Sequence, residues 1–264
     1  MSGPIPAMLR DLIDDAALFP PGNAPFDTAV PAHRGHRQSW YEPMIGPFLV
    51  PQTRLGDLPA GRGELRIGVV VDGDLERVPE DVAALGPGVA VAHYESRHPL
   101  DRLAAAAPAW GGPVYAEIPF GDEALDAIGP TGFTPKFRTG GLAAEFFPPP
   151  EVLAAAIGGC RDRGLRFKLT AGLHEAVRHR DPETGFDHHG FLNVLVAAAD
   201  AADGADTDHL TATLASTDAE DLAARARRVL HRPRALWTGF GSCSVDEPLD
   251  DLLRLGLLTR GDTA

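Results

Sequence analysis

Three observations predict an α/β fold, a TIM-type (β/α)8 barrel of irregular or incomplete form. The chain has 264 residues, and one α/β barrel domain typically runs to about 250. Seven short apolar runs rich in Val and Ile recur along it, bounded by Gly, Pro or Asp. Buried parallel strands read this way. Between most of them lie stretches with apolar residues at helical spacing. The alternation suits a parallel sheet closed into a barrel, or a doubly wound open sheet. The chain reads as one domain, 1–264.

Residues 7–19 (AMLRDLIDDAALF) carry apolar side chains at helical spacing and stop at Pro20-Pro21-Gly22, so a helix is expected there. Residues 26–40 predict a second helix, interrupted near Pro31. Together they make 1–45 a helical lead-in. Strands follow at 48–51, 65–71, 89–94, 114–118, 134–138, 166–170 and 235–240. Helices are expected at 74–85, 100–107, 150–163, 191–202, 219–230 and 249–258. No eighth strand is legible between Lys168 and Ala235, where 175–230 reads as a helical insertion or lid. The LFPPGN turn at 18–23 is expected to close the barrel bottom or seat a loop.

Charge narrows the partners. Twenty-four basic side chains against 37 acidic ones give a net charge of −13. That balance argues against nucleic acid or an anionic membrane surface, both of which need a basic footprint. A small-molecule anionic substrate stays open, because a site can be locally positive. No apolar run reaches the ~20 residues of a membrane span. The N-terminal segment has acids where a signal peptide needs apolar residues, so a cytoplasmic location is expected. Cys160 and Cys243 are too few for a disulfide framework. No motif calls for a cofactor, and a homo-oligomer is left open.

Only two of the 24 basic residues are lysines, Lys136 and Lys168. A composition rich in Ala, Gly, Pro and Arg replaces surface lysines by arginine readily. It should spare a lysine whose amine must lose its proton, because a guanidinium stays charged. Lys136 lies near the end of a predicted strand, and Lys168 lies within one. In Pro135-Lys136-Phe137-Arg138-Thr139-Gly140-Gly141, Lys136 and Arg138 share a face, and the glycines leave backbone NH groups free for an anion. Phe167-Lys168-Leu169-Thr170-Ala171-Gly172 repeats the arrangement one βα unit later. On adjacent parallel strands the amines would lie within several ångströms. Repulsion and burial would then favour the neutral form of one of them, and a neutral amine can attack a carbonyl to form a Schiff base. The plainer alternative is a lysine paired with a buried carboxylate.

A third cluster, Gly239-Phe240-Gly241-Ser242-Cys243-Ser244, ends the last strand before Asp246 and Glu247. Its NH groups and hydroxyls suit a phosphate or carboxylate, or simply cap the final helix. Cys243 reads as a packing residue. Glu117 sits in the apolar strand preceding Lys136 and needs a buried partner, for which a lysine amine is the obvious choice.

KFRTGG, then KLTAG, then GFGSCS resemble the class I aldolases of deoxyribose-phosphate aldolase type, over the last half of the chain. The resemblance implies that Lys136 is the Schiff-base lysine and Lys168 the neighbouring cation. It also implies that Gly172, Gly241, Ser242 and Ser244 hold a substrate phosphate; from the first motif, Arg138, Thr139 and Gly140 are expected to bind substrate as well. The sequence departs from that family in three ways. Four strands precede Lys136 where the family has five, and the segment after Lys168 is longer. No motif anchors the family's acidic proton relay, for which Glu117 is the candidate. The whole chain is also similar to bacterial proteins of unassigned function.

The polar stretch after Lys168 holds His174, Asp187, His188 and His189. No regular ligand spacing supports zinc there, so no metal is expected. His174 is placed as a general acid or base beside the imine, and the rest as a lid over the mouth. His93, Tyr94 and Glu95 end a strand and either line the cavity or sit as satisfied polar core groups. His33, His36 and Arg37 look like a solvated helix face. The expected function is a Schiff-base lyase or aldolase acting on a small phosphorylated carbonyl compound. The alternatives are a phosphoribosyltransferase-like barrel transferase or lyase using the lysines only as cations, and a non-catalytic anionic-metabolite-binding protein.

Overall fold

The computed structural model describes residues 5–59 and 64–260; the rest of the single domain expected over 1–264 lies outside the described residues. Eight parallel strands close a barrel: β1 (Ile13–Asp15), β2 (Ile45–Pro51), β3 (Leu65–Val71), β4 (Val89–Ser96), β5 (Val114–Glu117), β6 (Thr134–Arg138), β7 (Phe167–Thr170) and, after a small antiparallel hairpin of β8 (His179–Arg180) and β9 (Asp187–His188), β10 (Trp237–Ser242). Strand β1 closes the ring between β10 and β2. The helices are α1 (Phe26–His36), α2 (Val78–Ala83), α3 (Leu100–Ala106), α4 (Asp122–Ile128), α5 (Pro150–Asp162), α6 (Phe191–Ala202), α7 (Thr207–Ala215), α8 (Ala219–Val229) and α9 (Asp246–Arg254). The predicted barrel is therefore present, and it is complete.

The eighth strand lies where a helix was expected. Residues 7–19 hold one 3-10 turn, Ala7–Leu9, and then Asp11 adopts φ +45° and the chain extends into β1. The helically spaced Met8, Leu9, Leu12 and Ile13 are all buried, but by capture in the sheet. Leu12 NH donates to the Met44 carbonyl, and Phe240 NH donates to the Leu12 carbonyl. Tertiary pairing overrides a local pattern that two acidic residues made weak. The helical lead-in thus contains a barrel strand, and five strands precede Lys136.

Along each strand, alternate side chains face out and in. Phe137, Phe167, Leu169 and Phe240 face outward and are fully buried under the helix layer. Each large apolar side chain buried in this way contributes about 1.5–3 kcal/mol. Phe240 stacks between Phe191 of α6 and Trp237, at 5.8 and 5.5 Å. Helix α6 is apolar on nearly every face because α5, α7 and α8 cover it. Lys136, Arg138 and Lys168 take the inward positions.

Two further expectations are corrected. The LFPPGN turn follows the carboxyl end of β1, so it lies at the mouth, the end toward which the strands carrying Lys136 and Lys168 run, and not at the barrel bottom. A Cβ on its Gly22 would come within 3.1 Å of the Cys243 Cβ. His33 is not in solvent: it is 2% exposed and its Nδ1 lies 3.0 Å from Asp15 Oδ2, between barrel and α1. Arg37, too, is engaged, donating to the Ile45 carbonyl at 2.8 Å.

Candidate active site

The register of three adjacent strands assembles the site. Glu117 pairs with Lys136 across β5 and β6, and Lys136 with Lys168 across β6 and β7. Equivalent positions on neighbouring parallel strands point the same way, here into the barrel. Lys136 Nζ lies 2.9 Å from Glu95 Oε2 and 3.0 Å from Glu117 Oε2. Lys168 Nζ lies 2.6 Å from Glu95 Oε1 and also contacts Asp14 Oδ2. Glu95 of β4 therefore bridges the two amines, one oxygen to each. Arg138 grips Glu117 from above through Nε at 2.8 Å and Nη2 at 3.3 Å.

His93 shares the inward face of β4 with Glu95. Its Nε2 is 3.1 Å from Glu95 Oε1, 3.3 Å from Lys168 Nζ and 3.6 Å from Asp14 Oδ2. The Tyr115 ring packs edge-on against His93 and lies 4.7 Å from the Lys168 ammonium, a cation–π distance. Glycines make this cluster fit. A Cβ on Gly46 of β2 would collide with the Asp14 carboxylate, and one on Gly68 of β3 would stand 2.5 Å from His93 Nε2. Small residues on β2 and β3 thus hold open the space that the polar side chains fill.

Charges balance within the cluster: Lys136, Lys168 and Arg138 face Asp14, Glu95 and Glu117. Burial opposes ionisation of Glu95, yet the Lys136 and Lys168 ammoniums outweigh it and hold the carboxyl well below the usual range. Glu117 is likewise lowered, with burial opposed by Lys136 and Arg138. Burial disfavours the charged form of Lys168, but Asp14 and Glu95 reverse that and push its ammonium well above the ordinary lysine value. Two bare, mutually repelling ammoniums are not what the barrel presents; a carboxylate stands between them.

The phosphate candidates are placed around the mouth but are largely engaged. Thr139 is fully buried and its hydroxyl donates to the Ala171 carbonyl at 2.7 Å. Gly140 and Gly172 pack face to face: a Cβ on Gly140 would meet the Gly172 Cα at 2.6 Å, and Gly172 has φ +75°. These glycines let two βα turns touch. Gly241 lies opposite Asp14 and Thr170 in the sheet. The Ser242 hydroxyl donates to the Ser244 carbonyl, and Ser244 Oγ accepts from Glu247 NH, so both serines serve the turn into α9.

His174 stands apart from the lysines. Its Nδ1 is 2.7 Å from Glu247 Oε2 and its Nε2 is 3.8 Å from Cys243 Sγ. The hydrogen bond to Cys243, helped by Glu247, outweighs burial and raises its pKa to about 9. His189 is fully buried, with Nε2 on the Pro148 carbonyl, and burial lowers its pKa to about 4. His188 packs on Phe147, and Asp187, the residue before it in β9, lies across the hairpin from Arg180. The three histidines and Asp187 form no common centre among the described residues.

Sequence reasoning missed Asp14 and gave His93 and Glu95 no role beyond lining the cavity or sitting as satisfied polar core groups. The available signal was their i, i+2 spacing in an apolar strand, the same pattern that singled out Lys136 and Arg138. Ligand atoms of Asp14, His93 and Glu95 lie within 4.8 Å of one another, a spacing suited to a metal ion. The Lys168 ammonium occupies the centre of that group, so a cation would have to displace it. No helix among the described residues is long and apolar enough to cross a membrane. No protein-family model matches the chain and no curated protein matches it, which leaves the geometry of this site to carry the functional reading.

Proposed function

We propose that the protein is a Schiff-base-forming lyase of aldolase type, acting on a small carbonyl compound that carries an anionic group such as phosphate. The observation that carries this reading is the carboxylate bridge between Lys136 and Lys168 inside the barrel. Asp14 and Glu95 both contact Lys168 and favour its protonated form, which supports Lys136, the lysine that the aldolase resemblance points to, as the attacking amine. Counting β1, Lys136 stands on the sixth strand and Lys168 on the seventh, removing one departure from the aldolase resemblance.

In this mechanism Lys136 gives a proton to Glu117 or Glu95, both in contact with its Nζ, and the freed amine adds to the substrate carbonyl carbon. The carbinolamine oxygen leaves as water, taking that proton back together with the second amine proton, and an iminium remains. A carboxylate then accepts the proton of the β-hydroxyl. The carbon–carbon bond breaks, its electron pair moves to the iminium nitrogen, and an aldehyde departs. The remaining enamine is protonated at carbon and hydrolysed by water, restoring the lysine. Lys168 supplies a fixed positive charge beside the developing negative charge. The side chains of Lys136 and Lys168 are 5% and 3% exposed, so substrate must part an ion pair to reach them.

The protonated state of Lys168 also favours a second reading, in which both lysines act only as anion-binding cations. The balanced cluster counts against it, because every charge there already has a partner. Aldehyde release from a panel of β-hydroxy carbonyl compounds, with and without phosphate, separates the two. The lyase reading expects Lys136→Arg to lose activity by on the order of a thousandfold or more. Substantial turnover in Lys136→Arg would instead establish the cation reading, since arginine keeps the charge and cannot form the imine.

A further inference from the structure

A cleft of about 260 Å³ opens beside the β8–β9 hairpin, walled by the connection after β6 and the connection after β7. These are the segments that leave the two lysine strands at the barrel mouth, where ligands of such barrels bind. Its apolar wall is Phe147, Phe186 and Pro148, with the two rings 5.2 Å apart and tilted by 43°. Its polar wall is Arg178 and Arg180, faced by one carboxylate, Asp187.

The charges here do not cancel as they do around the lysines. Arg178 Nη2 lies 3.8 Å from Asp187 Oδ2, the limit of an ion pair. Arg178 Nη1 is buried and has no hydrogen-bond partner, a costly state for a guanidinium. Arg180 has no carboxylate within ion-pair distance among the described residues. In a chain of net charge −13, a cleft with two guanidiniums and one acid is a local reversal of sign. Guanidiniums present forked donors to carboxylate and phosphate, and aromatic walls favour a flat ring.

We propose that this cleft binds a small carboxylate or phosphate joined to a flat ring, and that it seats that end of the substrate. The second half rests on the lysine reading above; the binding itself does not. The segment that walls the cleft also reaches the lysine cluster's rim. Arg138, which grips Glu117 beside Lys136, also lies 6.0 Å over the ring of Phe146, next in sequence to Phe147. The arginines then take the anion-binding part expected of the Ser242–Ser244 turn, where the Ser242 hydroxyl donates to the Ser244 carbonyl and Ser244 Oγ accepts from Glu247 NH.

The test is calorimetric titration of the full chain with benzoate and phenyl phosphate, with inorganic phosphate and benzyl alcohol as the separate halves of the ligand. Neither aromatic anion has an aldehyde or ketone, so neither can form an imine, and the result is independent of amine chemistry. One saturable site is expected for at least one aromatic anion, with each separate half bound at least about tenfold more weakly. Arg180→Gln, at an exposed position that should not disturb folding, is expected to weaken binding by about tenfold, the loss of one charge-assisted contact. Arg178→Gln should act in the same direction. Equal affinity in wild type and Arg180→Gln, or no saturable binding of either aromatic anion up to ~10 mM, would overturn the proposal. Failure here alongside lysine trapping would leave the amine mechanism intact and move the substrate's anion elsewhere.

Discussion

Single residues decide the chemistry because each buried charge is held by its opposite. Removing Lys168 leaves Asp14 and Glu95 without the ammonium that both contact. Lys168→Met should therefore destabilise the fold by about 3–5 kcal/mol, the cost of orphaning a buried pair, read as a fall in the urea midpoint at pH 7. The pH dependence follows from Glu95. Its folded pKa is depressed, so its contribution is present above the unfolded value near 4.5 and disappears as pH falls through the folded value. The deficit of Lys168→Met against wild type should shrink on acidification below about pH 4.5; a constant deficit would contradict the ion-pair account. The lysines were legible in the sequence because arginine had replaced every other candidate. Asp14 was not, because its meaning depends on a partner 154 residues away.

At the scale of elements, pairing explains what a linear pattern could not. Seven strands announced themselves as Val- and Ile-rich runs, the signature of sheets covered on both faces. Strand β1 did not, since it is three residues long and two are acids. Asp14 turns inward to Lys168 and Asp15 outward to His33, so both carboxylates are buried on opposite faces. Helices α4 and α7 were not singled out in the sequence, although they are no shorter than α2 and α3, which were. Strands β2 and β3 show the complementary device, with glycines where neighbours need room. Gly68→Ala should force His93 off its contact with Glu95 and Lys168, because the added carbon stands 2.5 Å from the imidazole and 2.6 Å from Leu49 Cδ2. A loss of about 1–3 kcal/mol in denaturant unfolding is expected for such overpacking; an unchanged midpoint would mean the barrel interior is looser than described.

For the whole molecule, the closed barrel places the lysine strands, the hairpin and the LFPPGN turn at one end. The interior holds a balanced set of charges, and the mouth carries an unbalanced pair of arginines. The fold class and the lysine pair could be read from sequence because periodicity and residue choice carry them locally. Of the carboxylates that tune the pair, Glu117 was legible one strand before Lys136, whereas Asp14 and Glu95 could not be assigned, because closure of the ring brings them in from β1 and β4. The central claim is that Lys136 is a nucleophilic amine. Borohydride reduction in the presence of small aldehydes and ketones, including sugar phosphates, tests it most directly, followed by intact and peptide mass. With only two lysines in the chain, a reduced adduct on the Lys136 peptide, absent from Lys136→Arg, is the predicted result. An adduct confined to Lys168, or none across the panel, would contradict it.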